Sequence, residues 1–276
     1  MSEKKVAFLE TTIQISRRIY DPRIQEVVED EIKNFDLTTS STYVKMEFTR
    51  SFVEKGLVYL YNIARRLEDF PLIFTHLTKL PPVQRRRLND ALLALGIFFK
   101  ERDLSSSDVL EELLLYLPHA IEEAWEGFDG SVDGLIDETG CVKAKEPLVK
   151  VGDAYSPFKK CKKAEKKCRI DEFFKNNKPQ FELVLNKILS IPDEDKDAEL
   201  RRTEKILKKA LDFPENMLDA DNCWNCGDAI ISVECPKEAI LLTTNIKHYG
   251  PLLDSLAKKS IGIKPIRTKP KKLTLS

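Results

Sequence analysis

Short apolar runs with polar ends alternate with longer amphipathic stretches along this chain. The first run, residues 6–9, reads Val-Ala-Phe-Leu and ends in Glu-Thr-Thr. A similar run at residues 239–242 ends in Thr-Thr-Asn at 243–245. Apolar runs of this length that stop at polar residues are typical of buried strands in a parallel sheet. The pattern therefore predicts one strand near each end of the chain.

Between and around these runs, apolar residues recur at the three- and four-residue spacing of amphipathic helices. A very short strand is predicted at 37–41, where its serines cap the next helix. A final short strand is predicted at 261–263. Helices are predicted over about 19–35, 43–67, 83–100, 107–125, 170–189, 198–211, 226–234 and 249–258. This order of elements predicts an α/β fold with a small parallel sheet and many helices.

Composition narrows the class of protein without changing this outline. The 276 residues are 42% hydrophobic and 33% charged, which favours a globular core over disorder. Forty-five basic and forty-five acidic residues cancel, so a strongly basic nucleic-acid binder is excluded as a description of the whole chain. No apolar window reaches the roughly 18 residues of a membrane span, and the first residues carry no apolar signal run. We expect a cytoplasmic protein with no membrane partner.

Acidic and amide side chains stand where two of the predicted strands end. Glu10 follows the first strand and Asn245 follows the later one. The carboxyl ends of parallel strands meet at one edge of a sheet, where ligands bind. Glu47, on the helix after the short strand, and Asp228, at the start of a helix, can join the same edge. Considered individually, each of these acidic residues is also compatible with an ordinary role as a solvated surface residue or a helix cap.

Clustered carboxylates repel one another and lose hydration, so they persist where a cation neutralises them. Oxygen ligands from Asp, Glu and Asn suit Mg²⁺ or Mn²⁺. A metal held in this way lowers the pKa of bound water and stabilises charge on a phosphate. The sequence therefore predicts a Mg²⁺ or Mn²⁺ site in which Glu10, Glu47 and Asp228 are the ligands.

Four motifs in this order carry a family resemblance. They are Val6–Thr12, Thr39–Glu47, Gly227–Ile231 and Leu241–Asn245, the last followed by a His-Tyr pair. On these motifs the chain resembles the PIN-like nuclease domains over about residues 4–66 and 220–265. The resemblance implies a three-layer fold with a small central parallel sheet. It also implies a helix-rich chain in which a helical insertion interrupts the domain.

The resemblance implies roles for particular residues. The expected catalytic set is Glu10, Glu47, Asp228 and Asn245, with the first three holding the metal and Asn245 completing the site. Hydrogen bonds that support these ligands are expected from Thr12, Thr243 and Asp221.

The activity that the resemblance implies is hydrolysis of phosphodiester bonds by a metal-dependent endonuclease. RNA is expected as the substrate ahead of DNA. Domains of this family often act as toxins or defence effectors, which implies a regulatory protein partner. A homo-oligomer is also left open.

Two departures from the family pattern keep a second class of function open. Glu10 stands where the family usually has Asp, and the extra methylene disturbs the near-octahedral geometry that Mg²⁺ demands. Asn245 also replaces the usual Asp and brings no negative charge. The alternative is a degenerate PIN-like module that binds nucleic acid or a protein without cutting. A further alternative is an interaction subunit whose helical insertion does the work.

The domain organisation follows from where the family motifs lie. We predict a first part of the PIN-like core at 1–126 and a second part at 213–265. A helical, basic insertion is predicted at 127–212, and a basic tail at 266–276.

Six cysteines are too few for a disulfide scaffold in a chain of this length, and a cytoplasmic protein keeps them as free thiols or metal ligands. The Cys-x-x-Cys spacing near residue 225 is that of half a zinc site. The predicted structural zinc ligands are Cys161, Cys168, Cys223 and Cys226, with Cys141 and Cys235 as the remaining candidates. The simpler alternative is six free thiols packed as small apolar groups.

A basic run at 159–169 attracts phosphate backbones through release of counterions. The predicted nucleic-acid contacts are Lys162, Lys163, Lys166 and Lys167. The arginines at 85–87 and the basic tail add to this charge. A charge run is also compatible with a plain solvated surface.

Overall fold

Five parallel strands form the central sheet of the protein. They are β1 Val6–Leu9, β2 Leu37–Ser41, β3 Gly134–Ile136, β6 Ala239–Thr243 and β7 Lys259–Gly262. Their spatial order is β3-β2-β1-β6-β7. A separate antiparallel pair is β4 Lys150–Val151 with β5 Ala154–Tyr155. The structure is a computed structural model and describes residues 4–100, 102–104, 106, 108–152, 154–155, 161 and 168–264.

The register of the sheet brings the ends of β1 and β6 side by side. Leu9, the last residue of β1, is paired with Leu242 of β6, and Val6 is paired with both Leu37 and Ala239. Since every pairing among these five strands is parallel, each connection has to cross over the sheet. The polar residues that follow β1 and β6 therefore leave the same edge of the sheet.

The α-helices form the crossovers and a larger helical layer. Their bounds are α1 Thr11–Ser16, α2 Pro22–Ile32, α3 Thr42–Phe48, α4 Tyr59–Ala64, α5 Pro71–Thr78, α6 Pro82–Ala94, α7 Gly96–Phe99, α8 Val109–Glu126, α9 Ile170–Asn176, α10 Lys178–Ser190, α11 Ala198–Asp212, α12 Ala220–Asn225, α13 Gly227–Glu234 and α14 Ile246–Ser255. None of the helices that the structure describes is both long and apolar enough to cross a membrane.

Alternate side chains of the strands divide between two hydrophobic cores. Phe8 of β1 lies in the main core, which the larger helical layer covers. The other face of the sheet carries a smaller core with α1 and α2, made of Ala7, Leu9, Ile13, Val28, Ile32, Leu242 and Ile263. This alternation has the period of two that a strand imposes. The architecture is thus α/β, with helices on both faces of a parallel sheet.

The helix predicted over 43–67 is helical from Thr42 to Ala64 but contains a wider segment. Between α3 and α4, residues Thr49–Val58 form a π-helix. Such wide turns are rare in proteins and are frequent near functional sites. The segment packs against α6, where the Cβ of Ala91 and the carbonyl of Arg87 lie close to Gly56.

Other differences from the predicted elements are local. The single helix predicted over 170–189 is two helices, α9 and α10, which meet at Asn177. The predicted strand at 261–263 begins earlier, at Lys259. Helices α1, α5 and α12 and strands β3, β4 and β5 were not predicted. Strand β3 has only three residues, which is too short for an alternating pattern to show.

The predicted insertion, residues 127–212, shares both the sheet and the main core with the rest of the chain. Strand β3 pairs with β2, with Thr39 opposite Gly134. Helices α9, α10 and α11 place Phe174, Phe181 and Leu207 in the same core as Phe8. The basic tail and the four lysines predicted to contact nucleic acid lie outside the described residues.

Candidate active site

A cleft of about 430 Å³ opens at the edge of the sheet where β1 and β6 end. Glu10, Glu47, Asp228 and Asn245, the predicted catalytic set, all line it. They come from the end of β1, from α3, from the start of α13 and from the start of α14. The structure therefore brings together side chains that lie far apart along the chain.

Glu10 sits directly after β1 and caps the N-terminus of α1. Its carboxylate accepts the main-chain N–H of Thr12 at 2.8 Å and also accepts the Thr12 hydroxyl. Only 1% of Glu10 is exposed. Burial raises the pKa of Glu10 to about 7, with a smaller contribution from the charge of Asp228, although the Thr12 hydrogen bonds act in the opposite direction. Burial therefore favours the protonated form of this carboxyl.

Glu47 projects from α3 into the same cleft. Its Oε2 accepts the Thr11 hydroxyl at 2.9 Å. Burial raises the pKa of Glu47 to about 7, Asp228 adds to the rise, and Arg50 lowers it. Gly227, the first residue of α13, leaves room for this carboxylate, because a Cβ there would collide with Glu47 Oε1.

Asp228 occupies the first turn of α13 and lies beside α14. His248 Nδ1 lies 3.2 Å from Asp228 Oδ2, and the charge of Asp228 adds to the effect of burial in raising the pKa of Tyr249. His248 Nε2 lies 2.6 Å from Asp197 Oδ2. The hydrogen bond to Asp228 and the charges of both aspartates raise the pKa of His248 to about 9, although burial opposes this. At neutral pH the imidazolium therefore donates to both carboxylates.

Asp228 also belongs to a tighter group of candidate ligands. One ligand atom each from Glu199, Asp228 and His248 lies within 4.8 Å of the other two. Across the described part of the chain this is the one such group, so Glu10, Glu47 and Asp228 do not all lie within that distance of one another. Asp228 thus joins two sets of side chains, one towards β1 and α3 and one towards α11 and α14.

Threonine hydroxyls connect the two strand ends at the floor of the cleft. The hydroxyl of Thr12 accepts both the main-chain N–H and the hydroxyl of Thr244, at 3.1 and 2.7 Å. The hydroxyl of Thr243 accepts the main-chain N–H of Asn245 at 2.8 Å. Because Thr12 in turn donates to Glu10, this network fixes the position of that carboxylate.

Asp221, the third residue predicted to support the ligands, does not line the cleft. It is exposed on α12, where its main-chain N–H donates to the capping carboxylate of Asp219 at 3.0 Å. Its predicted role rested only on its proximity to Asp228 along the chain.

Cationic and aromatic side chains line the same cleft as the acidic residues. They are those of Arg50, Arg86, Arg87 and Trp224. The guanidinium of Arg50 lies 4.4 Å from the centre of the Trp224 ring, which is within the range of a cation–π contact. Cations beside a carboxylate cluster are suited to hold an anionic substrate against a bound metal.

Sequence reasoning missed Glu199, His248 and Arg50 as members of this cleft. His248 had a usable signal, because it lies one helical turn after Asn245 and so shares its edge of the sheet. No pattern in the sequence pointed to Glu199, because α11 reaches the cleft only through tertiary packing. The arginines at 85–87 were noted only as added basic charge, yet two of them line the cleft.

The four cysteines predicted to bind zinc are not grouped as the spacing suggested. Cys226 is buried, and burial alone raises the pKa of its thiol to about 12. The other three line a small cavity together with Cys141 instead.

Comparison with known proteins gave no match: neither a family model, nor a curated protein, nor a solved structure is significantly similar to this chain. The class of protein that the fold defines is therefore stated from the architecture alone, as an α/β protein with a five-stranded parallel sheet.

The donor set in the cleft fits a hard divalent cation. Glu10 and Glu47 are buried carboxyls with pKa values raised to about 7 beside a third carboxylate, and a cation relieves that repulsion. Carboxylate and amide oxygens are the ligands that Mg²⁺ and Mn²⁺ prefer. The Glu199, Asp228 and His248 group adds a nitrogen donor, which favours Mn²⁺ over Mg²⁺ at that end once His248 loses its proton.

Proposed function

We propose that this protein is a PIN-like, metal-dependent nuclease that hydrolyses phosphodiester bonds. The convergence of Glu10, Glu47 and Asp228 on one cleft at the carboxyl ends of β1 and β6 is the observation that supports it. Open α/β sheets bind their ligands at this edge. The proposal extends to RNA as the preferred substrate, which rests on the resemblance of the four motifs to the PIN-like nucleases.

In this proposal Glu10, Glu47 and Asp228 hold Mg²⁺ or Mn²⁺, and the Asn245 carbonyl completes the set. When bound, such an ion lowers the pKa of a coordinated water and stabilises charge that develops on a phosphate. The Thr12 and Thr11 hydroxyls orient the two glutamates by donating to them. Hydrogen bonds of this kind are worth about 10–100-fold in metal affinity or activity.

Substrate positioning falls to the basic and aromatic residues of the same cleft. Arg86 and Arg87 present guanidinium groups, which can bind phosphate oxygens in pairs of parallel hydrogen bonds. The Trp224 ring, already in contact with Arg50, offers a surface on which a base can stack. A single-stranded substrate suits this arrangement, since its bases are free to stack.

Cleavage of labelled single-stranded RNA and DNA in Mn²⁺, Mg²⁺ or EDTA tests the proposal. The wild type is compared with Asp228→Asn and with Asp254→Asn, a matched control on the exposed face of α14. We expect metal-dependent cleavage of RNA by the wild type and by Asp254→Asn. Asp228→Asn should lose more activity than the ~10–100-fold attributed to a supporting hydrogen bond. Cleavage that persists unchanged in EDTA or in Asp228→Asn contradicts the proposal.

One observation favours the alternative of a degenerate binding module. The protonated His248 already pairs with Asp228, so this carboxylate has a positive partner without a metal. Together with Asn245, which brings no charge, this leaves Glu10 and Glu47 as the main attraction for an ion. A folded protein that binds RNA equally well in Mn²⁺ and in EDTA, and cuts neither RNA nor DNA, establishes this alternative.

A further inference from the structure

Four cysteines from distant parts of the chain line one small cavity of about 30 Å³. They are Cys141, Cys161, Cys168 and Cys223. A cavity of this size has room for a single small species, since one water molecule needs roughly 10–15 Å³ by the same measure. Trp224 lines both this cavity and the acidic cleft, but no cleft carboxylate lines the cavity.

Hydrogen bonds outside the cysteines already hold these segments together. The main-chain N–H of Arg169 donates to the Thr139 carbonyl at 2.9 Å, and its guanidinium donates to the Asp137 carbonyl at 3.0 Å. These bonds place Cys168 beside the loop that carries Cys141. That loop turns at Gly140, whose φ of +56° is the left-handed conformation that favours glycine.

Cys223 reaches the cavity from α12, on the opposite side. Its carbonyl accepts the Tyr43 hydroxyl at 2.7 Å, which ties α12 to α3. The Cys223 side chain lines the cavity together with those of Cys141, Cys161 and Cys168.

Burial opposes ionisation of these thiols. It raises the pKa of Cys141 to about 12, and it raises the pKa of Cys161 although the charge of Lys143 acts in the opposite direction. The thiolate is the form of cysteine that binds metal ions, so a metal ion has to displace the thiol protons when it binds.

We propose that Cys141, Cys161, Cys168 and Cys223 bind one structural Zn²⁺. Four cysteine thiolates form the closed, tetrahedral type of zinc site, with no position left for a substrate. Binding replaces four S–H protons by one zinc ion, so four protons leave to solvent and no electron is transferred. The site is structural and independent of the metal in the proposed nuclease cleft.

These four zinc ligands differ from the four cysteines that were predicted from the Cys-x-x-Cys spacing. Cys226 points into the core, where no other thiol affects its pKa, and Cys141 takes its place. Among the described residues, no three cysteine sulfurs lie within 4.8 Å of one another. Zinc–sulfur bonds of about 2.3 Å therefore require these sulfur atoms to lie closer together when the metal is bound.

A zinc ion here fixes the helix that leads into the acidic cleft. Cys223 lies on α12, one residue before Trp224 of the cleft wall and four residues before Gly227. Zinc joins this helix to the loop after β3 and to the chain before α9. Loss of zinc should therefore loosen α12 and the start of α13 before it affects the sheet.

Metal analysis of the purified full chain tests the proposal. The chain is prepared in reducing buffer without a polyhistidine tag, and zinc is counted by mass spectrometry of the elements. We expect about one zinc per chain in the wild type, in Cys226→Ser and in Cys235→Ser, the two buried cysteines outside the cavity. Cys141→Ser and Cys223→Ser should each lose it. Asp228→Asn should keep it, which separates this site from the cleft.

A second measurement does not depend on the folding of any variant. The metal-free wild type is titrated with Co²⁺, and four thiolate ligands should produce intense visible bands of tetrahedral cobalt with thiolate charge-transfer absorption. Zinc should abolish both signals. Failure of the reduced wild type to bind either metal overturns the proposal. It is also overturned if Cys226→Ser loses the metal while Cys141→Ser retains it, or if the intact mass shows that cavity cysteines are joined by disulfides.

Discussion

Burial of Glu10 and Glu47 opposes the ionised state that both carboxyls need in order to bind a metal ion. Both carboxyls have pKa values raised to about 7, mainly by burial and further by Asp228. Each is nevertheless held by a threonine hydroxyl that favours the ionised form. The two residues therefore change charge in the neutral range, where a bound cation makes the largest difference to them.

The first prediction concerns Mn²⁺ affinity as a function of pH. Protons compete with the ion for Glu10 and Glu47, so affinity should rise as pH increases from 6 to 8, and binding at pH 6 should release protons. Calorimetry in two buffers of different ionisation enthalpy measures both effects. Glu47→Gln should bind more weakly and show a flatter pH dependence. Equal affinity at pH 6 and pH 8 contradicts the assignment of these glutamates as ligands.

The second prediction concerns Glu234, a core residue that is 2% exposed and remote from the cleft. Burial raises its pKa to about 8 from 4.5, and its Oε2 has no hydrogen-bond partner. Between these values the unfolded chain is ionised while the folded chain keeps the proton. Glu234 therefore costs the folded state more as pH rises, by about 2–4 kcal/mol at pH 8 relative to acidic pH.

Glu234→Gln cannot ionise, so it removes this cost. Urea unfolding should give similar free energies for the variant and the wild type at pH 5, and the variant should become progressively more stable up to pH 8. Glu238→Gln, an exposed residue on the following turn, is the matched control and should follow the wild type. A constant difference across the range shows that Glu234 is not protonated in the folded protein.

At the scale of elements, the close approach of helix α13 to helix α3 depends on Gly227, the first residue of α13. Gly227 opens this helix without a positive φ, so its backbone does not require glycine. The constraint comes from Glu47, whose carboxylate occupies the space that a Cβ would fill. Helix α13 can therefore approach α3 closely enough to place Asp228 beside Glu47.

The third prediction is that Gly227→Ala separates stability from metal binding. Only the end of a flexible side chain has to move, and alanine is the better helix former by about 0.5–1 kcal/mol, so stability should be unchanged or slightly higher. Displacement of Glu47 should weaken Mn²⁺ binding by roughly 10–100-fold. Thermal unfolding and Mn²⁺ titration measure the two effects. Gly130→Ala, at a position with open space, is the control. Unchanged Mn²⁺ affinity contradicts the role given to Glu47.

At the scale of the whole molecule, one sheet and one main core connect the predicted insertion to the flanking segments. Strand β3 forms an edge of the sheet, and α10 packs against both α11 and α14. The helix that carries His248 is therefore supported by a helix from within residues 127–212. Glu199 and Asp197, from the same stretch, complete the surroundings of His248.

The fourth prediction follows from this shared core. Deletion of residues 127–212 should prevent cooperative folding, because it exposes β2 and removes Phe174, Phe181 and Leu207 from the core. Loss of even one buried side chain of this kind costs about 2–5 kcal/mol. Urea unfolding of the full chain should show a single transition by circular dichroism and by tryptophan fluorescence. A deleted chain that unfolds cooperatively and still binds Mn²⁺ shows that the stretch is a separable insertion.

The sequence alone determined those features that local patterns encode. The runs at 6–9 and 239–242 are strands because their apolar residues are continuous and stop at polar ends. Glu10, Glu47, Asp228 and Asn245 could be predicted as neighbours, because parallel strands present their carboxyl ends at one edge. Most helices follow from the spacing of their apolar residues.

Only the tertiary structure decided which distant segments complete each site. Glu199 reaches the acidic cleft and Cys141 reaches the cysteine cavity through packing between elements that no short-range pattern links. The same holds for β3, whose three residues become a strand because β2 offers an unpaired edge. Local spacing constrains a residue's face on its own helix or strand, whereas its partners across the molecule depend on how all the elements share one core.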